Sequence, residues 1–275
     1  MQRLLFIFCL IFSPVLFALP QQALVPGGIA LLQLPQYKPD TKVYFRGKRV
    51  AVFAYKKSWI AMAGIGLRTR PGDYEFSVHQ HNGITFNSKV HIKTKHYPEQ
   101  HLIIKNKHKV NPDKTDMIRI IAEAKRKKHA KHLYSDNLPT VNFIWPVHGP
   151  ISSIFGLRRF FNGQERRPHN GLDIAAKEGT VVRATASGRV IDAGNFFFSG
   201  NMIFIDHGEG IISLYAHLSK INVKPGDIVK QGEIIGKVGH TGRATGPHLH
   251  FAVIANQNLI DPILMLPIKS TASVK

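Results

Sequence analysis

The sequence is short of cysteine, of acidic residues and of long apolar runs. One cysteine, Cys9, stands among 275 residues, and it lies in an apolar stretch at the N-terminus. The rest of the chain therefore has no disulfide framework, no thiolate ligand for zinc and no cysteine nucleophile. Phe8, directly before Cys9, is too bulky for a lipoprotein cleavage site, which argues against lipidation there. No His-Glu-x-x-His occurs, so the glutamate base of the common metalloprotease helix is missing. No Gly-x-Ser-x-Gly occurs, so serine catalysis has little support. Strands and helices do not alternate, which argues against a doubly wound sheet. No repeat of fixed period is visible.

Acids are scarce. Lys and Arg number 37 against 17 Asp and Glu, a formal charge of +20. Such a chain suits anionic partners. The only long apolar run is Leu4 to Phe17, preceded by the basic start Met1-Gln2-Arg3 and followed by a small-residue cleavage site at Ala18. Residues 1–18 are expected to be a secretory signal. The run is short for a bilayer span and Pro14 interrupts it, so no stable membrane span is expected after processing. Export argues against a nucleic-acid partner, and an exported chain without cysteine in its mature part suits a bacterial envelope. There the anions are peptidoglycan carboxylates, phosphate-bearing wall polymers and lipid headgroups.

Three segments follow the signal. Residues 24–104 read as short strands with turns: Lys42 to Phe45, Arg49 to Tyr55, Tyr74 to Val78 and Val90 to Lys93 are β-rich and mostly alternating. Gly47-Lys48, Arg70-Pro71-Gly72-Asp73 and Asn82-Gly83 are turn signals. A small β-sandwich is expected. Its His79-Gln80-His81 reads as structural, since it sits beside a turn and no His-x-x-x-Asp accompanies it. Residues 105–138 read as a basic connecting helix and linker, with ten Lys or Arg against three acids over 105–132. Asn111 is expected as N-cap, Pro112 as the first helical residue, and Met117, Ile120, Ile121 and Ala124 as an apolar stripe. Residues 139–268 read again as β, with strands at 172–175, 181–186, 188–193, 202–206, 211–216, 234–238 and 248–254. The fold class is all-β.

Three motifs in this last segment carry chemistry: His169-Asn170-Gly171-Leu172-Asp173, Tyr215-Ala216-His217-Leu218 and Gly246-Pro247-His248-Leu249-His250. Strand side chains alternate with period two, so His169 and Asp173 share one face and His248 and His250 share another. Four imidazoles and a carboxylate could meet on one patch of sheet. Zinc held by His169, Asp173 and His250 would keep a position open for water. His217 and His248 would remain to move protons, because imidazole titrates near the working pH. That set reads as a zinc hydrolase with one ion per chain.

Phe155-Gly156-Leu157-Arg158, His169 to Ala175, Gly188-Arg189-Val190, Tyr215 to Leu218 and Gly239 to Phe251 together resemble the lysostaphin-type (LytM-type) zinc metallopeptidases over about residues 145–265. Pro71 to Tyr74 resembles the N-terminal β-domain of exported Gram-negative members, which implies the periplasm of a Gram-negative bacterium. The resemblance implies a β-fold with an open groove for a wall peptide. It implies zinc on His169, Asp173 and His250, with His217 and His248 as catalytic partners. It implies hydrolysis of cross-linked peptidoglycan peptides, at the D-alanyl–meso-diaminopimelate bond for Gram-negative-type members. Relatives that have lost ligands activate other wall hydrolases, so a non-catalytic envelope scaffold is the alternative, and a basic adhesin a third reading. A tethered N-terminal domain could cover the open groove, or only dock the chain on the wall. Arg158 reads as structural before substrate-binding. Phe196 to Phe198 read as packing, Thr241 and Thr245 as groove floor, and Gly239, Gly242 and Gly246 as tight-loop positions.

Overall fold

The computed structural model describes residues 19–34, 41–80, 83–137 and 139–268. The expected signal at 1–18, together with His81 and Asn82, lies outside the described residues. Seven strands open the chain: β1 (Ile29–Leu34), β2 (Lys42–Phe45), β3 (Lys48–Arg49), β4 (Ala51–Tyr55), β5 (Ser58–Gly64), β6 (Gly72–His79) and β7 (Thr85–Ile92). They form two sheets, in the orders β1-β5-β4 and β3-β2-β6-β7. Ala30, Leu34, Val43, Phe45, Val52, Ala61, Phe76 and Val78 pack between them. The other face of the three-stranded sheet is also apolar. Its Ile29, Ala51, Phe53, Ile60 and Met62 share a core with Leu172, Tyr215, Phe251 and Val253 of the C-terminal half. A sheet covered on both sides needs apolar residues at successive positions rather than at alternate ones. That is why β1 and β5 do not stand out by alternation.

The connection is built into the structure. β8 (Glu99–Leu102) pairs in parallel with a strand of the C-terminal half. Helix α1 spans Lys114–His132. Its N-cap is Asp113, whose carboxylate accepts from the Asp116 N–H, so the helix starts after the expected Asn111-Pro112. An Asp side chain placed three residues before that orphan N–H is an effective cap. The expected apolar stripe is corrected too, since its Met117, Ile121 and Ala124 are exposed. The face turned inward carries Ile120, Glu123, Lys127 and Ala130. Polar bonds dock it. Glu123 accepts from the Phe197 N–H and from Arg119 Nε, and Arg126 pairs with Asp192.

The C-terminal half begins with β9 (Ile151–Ser153), β10 (Arg158–Phe161), β11 (Gln164–Glu165), β12 (Leu172–Ala175) and β13 (Val181–Arg183). It continues with β14 (Gly188–Phe196), β15 (Gly200–Asp206), β16 (Ile212–Leu218), β17 (Lys220–Ile221), β18 (Ile228–Val229), β19 (Ile234–Lys237), β20 (His248–Ala255) and β21 (Asn258–Ile260). The main sheet runs β18-β14-β15-β16-β20-β12-β9, with β21 beside β20 and a smaller sheet β13-β19-β17 packed on it. Leu249, Phe251 and Val253 of β20 face the main core. His248 and His250 therefore face the other side, where the candidate site lies. The fold is all-β with one α-helix among the described residues.

Candidate metal and catalytic centre

Sheet register brings the motifs together. β12 and β20 pair antiparallel with Asp173 opposite His250 and Ala175 opposite His248, and β16 places Ala216 opposite His250 from the other side. His169 precedes β12 rather than extending it, yet its ring reaches the same point. His169 Nε2 lies 2.9 Å from Asp173 Oδ1 and 3.1 Å from His250 Nδ1. His250 Nδ1 lies 2.7 Å from Asp173 Oδ1. Gly171 makes room for this, because a Cβ there would come within 2.6 Å of the His250 ring.

The protonation of these groups fits a cation. His169 Nδ1 lies 2.7 Å from the Ile154 carbonyl, to which a neutral ring donates, leaving Nε2 as a lone pair aimed at the cluster. Burial pulls the His169 pKa down to about 4 and keeps it neutral. Burial pushes the Asp173 carboxyl up, but its bonds with His169 and His250 outweigh that and hold it far below the usual carboxylate range. Arg159 donates to the second carboxylate oxygen at 2.8 Å. A lone pair and an anionic oxygen thus face each other at hydrogen-bond distance, an arrangement that a shared cation satisfies. The ligand atoms of these two His and one Asp lie close enough together to hold a metal ion, and the donor set suits zinc.

His217 reaches the site by a different route. Alternation from Tyr215, which is in the main core, would send His217 into that core as well. The register between β15 and β16 slips, from Ile203 opposite Tyr215 to Asn201 opposite Leu218. Ala216 and His217 therefore stand against one residue, a β-bulge, and His217 adopts φ +63°. That turns its ring onto the site face, 4.8 Å from His248 and 5.9 Å from His250 between ring centroids. His217 Nδ1 lies 2.7 Å from the Thr241 carbonyl, so the neutral ring donates there and presents Nε2 as acceptor. Burial, then the neighbouring His250 and His248, lower its pKa to about 3. His248 Nδ1 lies 2.8 Å from the Gly246 carbonyl, and its Nε2 is 3.9 Å from Asp173 Oδ1.

All five polar residues of the sequence motifs line one cleft. Leu102, Ile104, Lys127, Arg159, Arg167, Phe198, Arg243 and Thr245 line it as well. The covering side chains of the connection thus come from 102–104 and α1, and none of the lining residues belongs to β1–β7. Arg158 pairs with Glu99 and Glu165, a structural role. Its neighbour Arg159, pointing the other way, is the one that reaches Asp173. Of the tight-loop glycines, Gly242 has φ +78° and Gly239 packs on Ser219, while Gly246 shows neither feature.

Residues 167–262 match Peptidase family M23 and residues 22–93 match the Peptidase family M23 N-terminal domain. The chain is 44% identical over 117 residues to the DD-carboxypeptidase/endopeptidase Mpg of Neisseria meningitidis, covering 42% of this chain and 27% of that protein. It is 46% identical over 105 residues to the peptidoglycan DD-endopeptidase ShyA of Vibrio cholerae, covering 38% and 24%. The chain thus spans about a quarter of the length of these curated relatives. A crystal structure of a putative peptidase M23 from Pseudomonas aeruginosa superposes with a TM-score of 0.75 at 36% identity, covering 90% of this chain and 96% of that one. With both halves matched and one relative aligned along nearly its whole length, the chain belongs to peptidase family M23.

Proposed function

We propose that the chain is an exported zinc metalloendopeptidase that hydrolyses peptide cross-links of peptidoglycan, at the D-alanyl–meso-diaminopimelate bond. The observation that supports it most is the convergence of His169 Nε2, Asp173 Oδ1 and His250 Nδ1 within 3.1 Å of one another. The curated relatives add support, since their names describe endopeptidases, one of peptidoglycan. In this reading His169, Asp173 and His250 would hold one zinc, which would supply polarisation of the scissile carbonyl and a lowered pKa for water. Arg159 holds the second oxygen of Asp173, so the first stays aimed at His169 Nε2 and His250 Nδ1. His217, kept neutral by burial, takes a proton at Nε2. His248 stands across from it and delivers a proton to the departing amine. The cleft admits an extended peptide from a polymer, and the periplasm is where such a polymer lies.

Digestion of purified sacculi by the zinc-loaded chain tests this. New D-alanine carboxyl termini and free diaminopimelate amines, identified by mass spectrometry and abolished by chelation, are expected. Intact sacculi, or release that chelation does not touch, would overturn the reading.

A further inference from the structure

The cleft carries more positive charge than its metal chemistry uses. Lys127, Arg159, Arg167 and Arg243 line it, and Asp173 is the one carboxylate among the lining residues. Arg159 is engaged with Asp173. The other three cations face no carboxylate at salt-bridge distance among the described residues. Glu123, the nearest acid on α1, is taken by Arg119 and the Phe197 N–H.

Arg243 is set in place rather than loose. It lies between the rings of Phe161 and Phe198, its guanidinium carbon 4.5 Å from each centroid. One guanidinium nitrogen donates to the Lys109 carbonyl, which fixes the plane of the fork. A guanidinium held this way is preorganised for a planar anion. Lys127 comes from the inward face of α1, and among the described residues no hydrogen bond ties its ammonium. Burial pulls it below its ordinary range; the Glu123 carboxylate opposes this, and repulsion from Arg167 and Arg243 adds to the lowering. Like charges gathered in a half-buried cleft destabilise the free protein, and a bound anion relieves them.

The proposed substrate carries an anion beside its scissile bond. The diaminopimelate carbon that bears the scissile nitrogen also bears a free carboxylate. A glycine bridge has no such group. We propose that Lys127, Arg167 and Arg243 form a carboxylate subsite beside the metal centre, which binds the free carboxylate on the amine side of the scissile bond. The inference rests on the proposed function for the identity of the substrate. It makes α1 a contributor to specificity rather than only a connection.

Binding separates this proposal from the activity. The probes are one dimeric muropeptide, cross-linked from D-alanine to diaminopimelate, with that carboxyl free or amidated. The host is the zinc-loaded full chain carrying His217→Ala, so that the probe is not consumed. Calorimetry is expected to show the free acid bound about ten-fold or more tightly than the amide, as for a charge-assisted hydrogen-bond pair. Adding Lys127→Met should shrink that ratio to about three-fold or less. Arg167→Gln, at an exposed position where folding is not at stake, should reduce it as well. Equal binding of acid and amide, no binding of either, or a ratio unmoved by both substitutions would overturn the subsite. Sacculus digestion reports separately. Discrimination without cleavage keeps the subsite and removes the proposed activity. Cleavage without discrimination does the reverse.

Discussion

At the residue scale, the site joins positions that spacing reveals with one that spacing hides. Asp173, His248 and His250 declare themselves because period-two alternation and antiparallel register put them on one face, and His169 joins them from just before β12. The orientation of His217 is not legible in that way, because a bulge and a left-handed backbone override alternation. A non-glycine residue in that region costs about 1–3 kcal/mol and is kept where the surrounding structure fixes it. Two substitutions that both remove the imidazole isolate the backbone term. His217→Gly should be more stable than His217→Ala by about 1 kcal/mol, the reverse of the usual order, because only glycine accepts φ +63° freely. Chemical denaturation of both metal-free variants measures it, and Ala at or above Gly would refute the strain argument. Both variants should lose about 10²–10⁴-fold in turnover.

His207 supplies a second prediction at this scale, away from the metal. Its ring is buried, bonded to the Ser187 carbonyl and the Ser213 hydroxyl, and burial lowers its pKa to about 4. The folded state therefore binds its proton less readily than the unfolded chain, whose histidine titrates near 6.5. Stability associated with this ring is fully present above about pH 6.5 and is lost as pH falls from there toward 4. Melting temperature should drop over that window, and His207→Gln should drop less steeply, whatever its stability at neutral pH. Parallel slopes in the two proteins would assign the acid lability elsewhere.

Elements show where sequence patterns translate into structure and where they do not. β2 and β6 are half-wet and alternate, so they can be read directly. β1 and β5 are covered on both faces, so their apolar runs carry no period to read. The apolar spacing on α1 is real, but Met117, Ile118 and Ile121 face outward while charged groups dock the helix. Glu123 is the centre of that docking. Glu123→Ala leaves the Phe197 N–H without its acceptor and Arg119 without its ion pair. A buried donor left unpaired costs about 1–3 kcal/mol. The expected result is a lower melting temperature, with faster amide exchange along α1 and at Phe197. Exchange that stayed at the wild-type rate would mean that the helix is held by something other than Glu123.

On the scale of the whole molecule, the two halves share structure instead of merely being tethered. The sequence suggests separate domains, because strand-rich composition stops near 104 and resumes after 139. Composition does not report that the three-stranded sheet has a second apolar face, nor that this face covers β16 and β20. Ile29, Phe53, Ile60 and Met62 are buried in the same core as Tyr215, Phe251 and Val253. Each fully buried side chain of that size contributes about 1.5–3 kcal/mol. Polar bonds cross the same boundary. Glu209 accepts from the Val52 N–H at 2.6 Å, and Asn256 binds the Gly64 N–H. Removing residues 19–138 would expose the core face, leave the Glu209 carboxylate and the Asn256 amide without those partners, and take Leu102, Ile104 and Lys127 out of the cleft. The isolated 139–275 segment should therefore melt well below the full chain and bind a hydrophobic dye at neutral pH. Mixing it with a separately produced 19–138 segment should raise its melting temperature and suppress the dye signal. If the isolated segment melts like the full chain and stays dye-free, the N-terminal sheet is a dispensable cover and the shared core contributes little.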